Sequence, residues 1–216
     1  MLNSLVKRHL NLVYSDYQTK NPKGGHNMKK FYESQLLDKE VVLWEGHPEP
    51  FTLLEGAYVT SLITSWTLAA LSVIAYIFFY IPYAITNNYW GKNALIISVA
   101  IGACIACVLC KPFIDKNTLE KKTTYILTNR RAIVVSGQNI KAMFIDANTS
   151  YEIKEMENGA GIILMGSAVK SRLRNSRSNT LTGIPDEKDR SKITGIVFYS
   201  VENADLICNV YSPFKK

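Results

Sequence analysis

Residues 58–80 are YVTSLITSWTLAALSVIAYIFFY and residues 93–110 are NALIISVAIGACIACVLC, and neither stretch contains a charged side chain. A helix of about 20 apolar residues crosses the roughly 30 Å hydrocarbon core of a bilayer. The two stretches therefore predict two transmembrane helices. The alternative is a pair of buried helices in a soluble protein, but a chain of 216 residues is too small to cover both.

The link between the two stretches is short, contains the polar pair Asn87-Asn88, and cannot hold a domain. It lies in an aromatic-rich boundary typical of a membrane interface, formed by Tyr76, Tyr80, Tyr83, Tyr89 and Trp90. Basic residues are rare in the link, which offers only Lys92, and frequent after the second stretch. Because basic residues favour the cytosolic side, we expect a multi-pass protein of the cell membrane with both termini cytosolic.

Small residues recur at four-residue steps along each predicted helix, as Ser61, Ser65 and Ala69 on the first and Ser98, Gly102 and Ala106 on the second. Such stripes allow close helix packing in lipid, either within the hairpin or between two copies of the chain. The second stretch also contains Cys104, Cys107 and Cys110. These cysteines turn around the helix and have no histidine nearby, so we expect apolar filling and no metal or other cofactor. Acylation of Cys110 near the cytosolic boundary is the alternative use.

After residue 115 the pattern changes to short runs rich in β-branched and aromatic residues, which favour strands. The predicted strands cover residues 123–128, 132–136, 140–145, 150–155, 161–165 and 194–201. A short helix over about residues 203–211 follows and is stopped by Pro213. Closely spaced antiparallel strands predict a sandwich or barrel, and the last helix would cover an open end.

The predicted organisation has three parts. Residues 1–57 form a cytosolic N-terminal segment, residues 58–114 the hairpin, and residues 115–216 a cytosolic domain. Residues 1–27 fit poorly with the rest, being polar and turn-rich, and are expected to be disordered or not native, with Met28 as an alternative start. An amphipathic interfacial helix over residues 2–14 is the competing interpretation.

Two segments carry a family resemblance. Residues 36–50, LLDKEVVLWEGHPEP, and residues 124–133, TYILTNRRAI, are similar to the W-x-G-x-P and Y-x-L-T-N-R-R segments of bacterial membrane proteins in which a two-helix hairpin precedes a PH-like domain. The resemblance covers roughly residues 28–216. It implies an α+β membrane protein with a seven-stranded PH-like barrel capped by a C-terminal helix, the seventh strand lying within residues 167–193. It implies a fold and a location but no activity.

The turn after the first predicted strand is Asn129-Arg130-Arg131. Asn tolerates the left-handed backbone of a tight turn. The two arginines have two interpretations. The structural one is ion pairing, either with Asp146 or with a helix C-terminus. The functional one is contact with lipid phosphates just below the membrane.

Segment 167–193 contains Lys170, Arg172, Arg174 and Arg177 within eight residues. The planar donor fork of Arg matches phosphate, and basic residues gain about 1 kcal/mol each near an anionic leaflet. Binding of anionic lipid competes with a solvated loop whose charge is neutralised by Asp186, Glu187 and Asp189. Nucleic acid is a less favoured ligand, because no aromatic residue for base stacking stands among the arginines.

No catalytic residue is predicted. The three histidines all precede the first apolar stretch, and the chain has no phosphate-binding loop or nucleophile elbow. We expect a membrane-anchored, non-catalytic binding or adaptor protein whose PH-like domain contacts a protein partner or anionic lipid headgroups. The alternative is an assembly or scaffolding factor that acts through its transmembrane helices, with a membrane protein or a second copy as partner.

Overall fold

The computed structural model describes residue 34 and residues 36–56, 58–87, 89, 91–205 and 207. The interfacial helix over residues 2–14, the start at Met28, Asn88, Trp90 and most of the predicted helix over residues 203–211 lie outside these residues. The described chain is α+β, with two long apolar helices and two antiparallel four-stranded sheets.

The first apolar helix is longer than predicted and has an irregular centre. Helix α1 covers Tyr58–Ala75, a π-helical turn covers Tyr76–Tyr80, and helix α2 covers Ile81–Thr86. The first predicted stretch ended at residue 80, but the helix of the structure continues through Pro82 to Thr86. Pro82 lies just after the π-helical turn. Because proline lacks the N–H for an intrahelical hydrogen bond, an irregular turn at this point of a continuous helix is expected.

The second apolar helix, α3 (Lys92–Lys122), has 31 residues, or about 46 Å of helix. The second predicted stretch ended at residue 110, but the helix continues beyond it, with Pro112 inside. The polar C-terminal part of α3 is stabilised by two ion pairs whose members are one helical turn apart, Lys111 with Asp115 and Lys116 with Glu120. Leu119 is fully buried, so packing against the soluble domain holds the last turns helical.

Both helical spans, Tyr58–Thr86 and Ala94–Lys122, are long and apolar enough to cross a membrane. Only 11% and 6% of their most apolar windows are buried, and side chains such as Phe78 and Phe79 are about three-quarters exposed, at 70% and 74%. Core helices of a soluble protein would bury these surfaces. The two helices therefore suggest association with a membrane.

The first sheet has the order β1-β2-β3-β4 and the second the order β5-β6-β8-β7. Their strands are β1 (Val42–Gly46), β2 (Thr123–Thr128), β3 (Arg131–Ser136), β4 (Asn139–Phe144), β5 (Tyr151–Glu155), β6 (Gly161–Gly166), β7 (Ile184–Pro185) and β8 (Ile193–Val201). All six strands predicted after residue 115 are present. The structure adds β1, from the segment before the helices, and the two-residue β7 within residues 167–193.

The expectation of a closed barrel is wrong for the described chain, because strand pairing stops at the edges of two separate sheets. The sheets instead share an apolar core between them, which includes Tyr125 and Val134 from the first sheet and Ile163 and Phe198 from the second. The other face of the second sheet is also buried, against Leu119 of α3 and the segment that follows β6.

The soluble domain is attached to the helices without a linker. Strand β2 begins at Thr123, directly after Lys122 ends α3. Strand β1 pairs with β2 and leads through residues 47–56 to α1. Residues before and after the helix pair therefore form one sheet, and the domain rests on the ends of both long helices.

Candidate membrane-proximal site

Segment 167–182, which includes the predicted basic run, is ordered and packs at the base of the helix pair. It forms short 3-10 turns at Ser167–Lys170 and Leu173–Asn175, then helix α4 (Ser176–Thr182). The turn Leu173–Asn175 contacts α1, and α4 contacts both α3 and β8. The alternative of a solvated loop is therefore wrong for this part of segment 167–193.

Three of the four predicted basic residues form an exposed group, Lys170, Arg172 and Arg174, which we call the basic corner. Leu173, between the two arginines, packs on the apolar cluster beneath the second sheet. Among the described residues no acidic side chain lies within ion-pair distance of the three cations. The acidic residues of 186–189 therefore do not neutralise the corner by direct pairing.

Arg177, the fourth predicted residue, is not part of this surface. It is only 1% exposed, so its guanidinium is closed to an external ligand. Its Nη1 donates to the carbonyl oxygen of Leu53 (3.0 Å), its Nη2 to that of Thr52 (2.9 Å) and its Nε to the Tyr199 hydroxyl (3.0 Å). The prediction that Arg177 contacts a lipid headgroup is therefore wrong.

Aromatic rings complete the environment of Arg177. Its guanidinium lies 4.2 Å from the ring centroid of Tyr58, 4.5 Å from that of Phe51 and 5.3 Å from that of Tyr199. Cation–π attraction of this kind is strongest where water is excluded. We call Arg177, its three oxygen acceptors and these three rings the Arg177 clamp. It joins α4 and β8 to the segment that leads into α1.

The clamp holds charge without a direct counter-ion. No carboxylate of the described chain lies within ion-pair distance of Arg177. Glu55 is 5% exposed, and its Oε2 accepts hydrogen bonds from the N–H and hydroxyl of Thr52. Its Oε1 has no partner among the described residues. Burial raises the pKa of Tyr199, although Arg177 acts in the opposite direction, so this hydroxyl stays neutral and accepts the Nε–H bond.

Arg131 makes a structural ion pair, but its partner is not the predicted Asp146. Its Nη2 lies 2.6 Å from Oε2 of Glu40, and its Nε donates to Oε1 of the same carboxylate at 2.9 Å. The side chain of Glu40 is fully buried. Burial acts to raise the pKa of Glu40, but hydrogen bonds from Arg131, Thr128 and the backbone of Leu37 outweigh it and lower this pKa to about 2.

The turn that contains Arg130 lies away from the helix ends. Strand β2 separates it from α3 by six residues, or about 20 Å of extended chain. Arg130 is exposed in this turn, so its side chain is accessible to a ligand. Its distance from the ends of the helices argues against contact with lipid. Asn129 does not have the predicted left-handed backbone. Its Oδ1 accepts from the N–H of Val41, and its own N–H donates to the Val41 carbonyl.

The small residues divide between two environments. Ala69 is buried, Ser61 and Ser65 are half-buried, and Ser98 accepts a hydrogen bond from the Tyr76 hydroxyl across the helix pair (2.5 Å). Gly102 and Ala106 are exposed instead, and a Cβ added to Gly102 would meet nothing within 4 Å. The stripe on α3 therefore leaves the hairpin contact after Ser98.

The cysteines of α3, Cys104, Cys107 and Cys110, are free and exposed. In the described ranges no three His, Cys, Asp or Glu side chains are grouped to hold a metal.

Two features of the site were missed by sequence reasoning, the burial of Arg177 and the Glu40–Arg131 pair. The available signal for the pair was the position of Glu40 directly before the apolar residues Val41 and Val42, because a buried carboxylate needs a partner. For Arg177 the neighbouring sequence gives no signal, because its acceptors lie more than 120 residues earlier in the chain.

Comparison with protein-family models, with curated proteins and with solved structures finds no match to this chain.

Proposed function

We propose that this chain is a membrane-anchored, non-catalytic binding protein whose soluble domain contacts anionic lipid headgroups through Lys170, Arg172 and Arg174. One observation carries the proposal. The basic corner belongs to a segment that packs against the foot of α1, one of the two helices suited to cross a membrane.

The position of the corner suits the boundary between hydrocarbon and headgroups. Arg and Lys side chains place their apolar stems along apolar surface and extend their charge toward phosphate. Leu54, which shortly precedes α1, is 58% exposed and would lie in the same boundary. Three basic residues at an anionic surface contribute about 3 kcal/mol in total.

The orientation follows from the charges at the helix ends. Four lysines lie in the last 12 residues of α3, Lys111, Lys116, Lys121 and Lys122, whereas Lys92 is at its start. The excess of basic residues supports a cytosolic position for the end that carries the domain. Both termini are then cytosolic, the cell membrane is the location, and the resemblance to proteins with a PH-like domain agrees with this arrangement.

The experiment uses the full chain, because β1 precedes the helices and pairs with β2, so residues 115–216 alone lack a strand of their sheet. Native mass spectrometry in mild detergent would count phosphatidylglycerol and phosphatidylcholine molecules retained by the protein. We expect a preference for phosphatidylglycerol that is lost in R172E/R174E. Arg130→Glu is the matched control, an exposed arginine remote from the helices, and should keep the preference. Equal retention of both lipids by the unaltered chain would refute the proposal.

A second candidate function is assembly within the membrane, and the exposure of Gly102 and Ala106 on α3 favours it. Small residues let helices of two copies approach closely. Oxidative crosslinking through Cys104, Cys107 and Cys110 should then give a dimer, and Gly102→Leu should abolish it. A strictly monomeric protein in mild detergent would count against this function.

A further inference from the structure

Helix α4 has one apolar anchor, Leu181, which packs on the cluster beneath the second sheet, and its other buried contacts are polar. Its buried residues are Ser176, Arg177 and Thr180. The hydroxyls of Ser176 and Thr180 bond within the segment itself, to the carbonyls of Leu173 and Ser176. A helix of seven residues is marginal without tertiary contacts. The docking of α4 against the hairpin base therefore depends on the Arg177 clamp.

Arg177 is the last of four cations within eight residues of the chain. Arg177 is buried, and in the described chain it has no direct counter-ion. Arg174 lies three residues earlier in the sequence, and Arg172 and Lys170 lie just before Arg174. Like charges brought close together repel, and a buried charge is poorly screened by salt. An anion bound at the exposed arginines would offset the repulsion and favour the docked position of Arg177.

We propose that anionic lipid headgroups bound at the basic corner control the Arg177 clamp, so that the lipid composition of the membrane regulates how firmly the soluble domain is fixed to the helix pair. This inference rests on the proposed function. Headgroup binding and clamp closure are coupled through one short segment, residues 170–177, which carries both the ligand-binding cations and the buried guanidinium.

Thermodynamic coupling is reciprocal. If headgroups stabilise the closed clamp, loss of the clamp weakens headgroup binding by the same factor. Measuring both the effect of headgroups on the clamp and the effect of clamp loss on headgroup binding therefore shows whether the two are coupled or independent.

The test is hydrogen–deuterium exchange of the full chain in nanodiscs of phosphatidylcholine alone or of phosphatidylcholine mixed with phosphatidylglycerol. In the mixed nanodiscs we expect amides of residues 176–183 to exchange about tenfold more slowly. The turn at Asn129-Arg130, which the six residues of β2 separate from α3, is the internal control and should not change. In R172Q/R174Q, which leaves Arg177 in place, the difference between the two lipid mixtures should disappear.

Different outcomes separate the two proposals. Retention of phosphatidylglycerol in mass spectrometry with unchanged exchange over residues 176–183 would overturn the coupling and leave the proposed function intact. Absence of any lipid preference would overturn both. Arg177→Met should lower retention of phosphatidylglycerol by about tenfold. If that variant does not fold, the comparison of the unaltered chain with R172Q/R174Q still decides.

Discussion

The Arg177 clamp gives the sharpest prediction about stability. Arg177→Met keeps most of the side-chain volume but removes three hydrogen bonds from a charged donor, each worth about 1.5 kcal/mol. It also removes the cation–π contacts, worth about 1 kcal/mol together. The methionine regains part of the packing and no longer buries a charge, so we expect a net loss of about 3 kcal/mol.

For a chain of this size, that loss lowers the unfolding temperature by about 10 °C. The measurement is thermal unfolding of the full chain in detergent, followed by tryptophan fluorescence, because Trp44 packs against Phe198 in the core between the sheets. Arg174→Met is the matched control, since this neighbouring arginine is exposed, and should change stability by less than about 0.5 kcal/mol. Arg177→Lys should recover only part of the loss, because an ammonium cannot reproduce the planar fork.

The reasoning would be refuted if Arg177→Met and Arg174→Met unfolded at the same temperature. Such a result would mean that the oxygen acceptors of the clamp are satisfied equally well by water, and that α4 docks through its partly buried leucine alone.

Three further predictions follow from other parts of the molecule. The pKa of Glu40 falls from 4.5 to about 2 on folding, so its ionised form, which Arg131, Thr128 and the backbone of Leu37 stabilise, contributes about 3 kcal/mol above pH 5 that is lost as the pH falls toward 2. Urea unfolding should show a loss of about 2 kcal/mol between pH 7 and pH 3, and Glu40→Gln should reduce this pH dependence. Gly166→Ala should lower the free energy of unfolding by about 3 kcal/mol, because of backbone strain at φ +63° and a clash with Met143 and the Thr194 carbonyl. Gly137→Ala, with φ +60° and open space around the new Cβ, should lower it by only about 1 kcal/mol. The midpoints of denaturant unfolding compare the two variants. The full chain should remain with the lipid fraction after alkaline extraction and flotation, and a chain recovered in the aqueous fraction would contradict the membrane interpretation of both helices.

The residues before the helices show where local sequence reasoning stops. Val42–Gly46 pairs with β2, its partner lying some 80 residues later in the chain. The pattern of the five residues in β1 contains no information about a partner so distant in the sequence, and β1 was therefore not predicted. The same holds for the closed barrel, because the sequence reveals strands but not which edges remain unpaired.

By itself, the sequence determined two helices long and apolar enough to cross a membrane, and six of the strands. Long stretches without charge and runs of β-branched residues are local properties, and solvent and backbone sterics act on them directly. The sequence also identified the basic run Lys170, Arg172, Arg174 and Arg177, of which the first three are exposed in the structure. Only the tertiary structure decided that Arg177 is buried, that Arg131 belongs to Glu40, and that the basic corner lies at the foot of α1. These facts depend on contacts between residues about 90 to 125 positions apart, and such contacts exist only once the sheets and helices have packed.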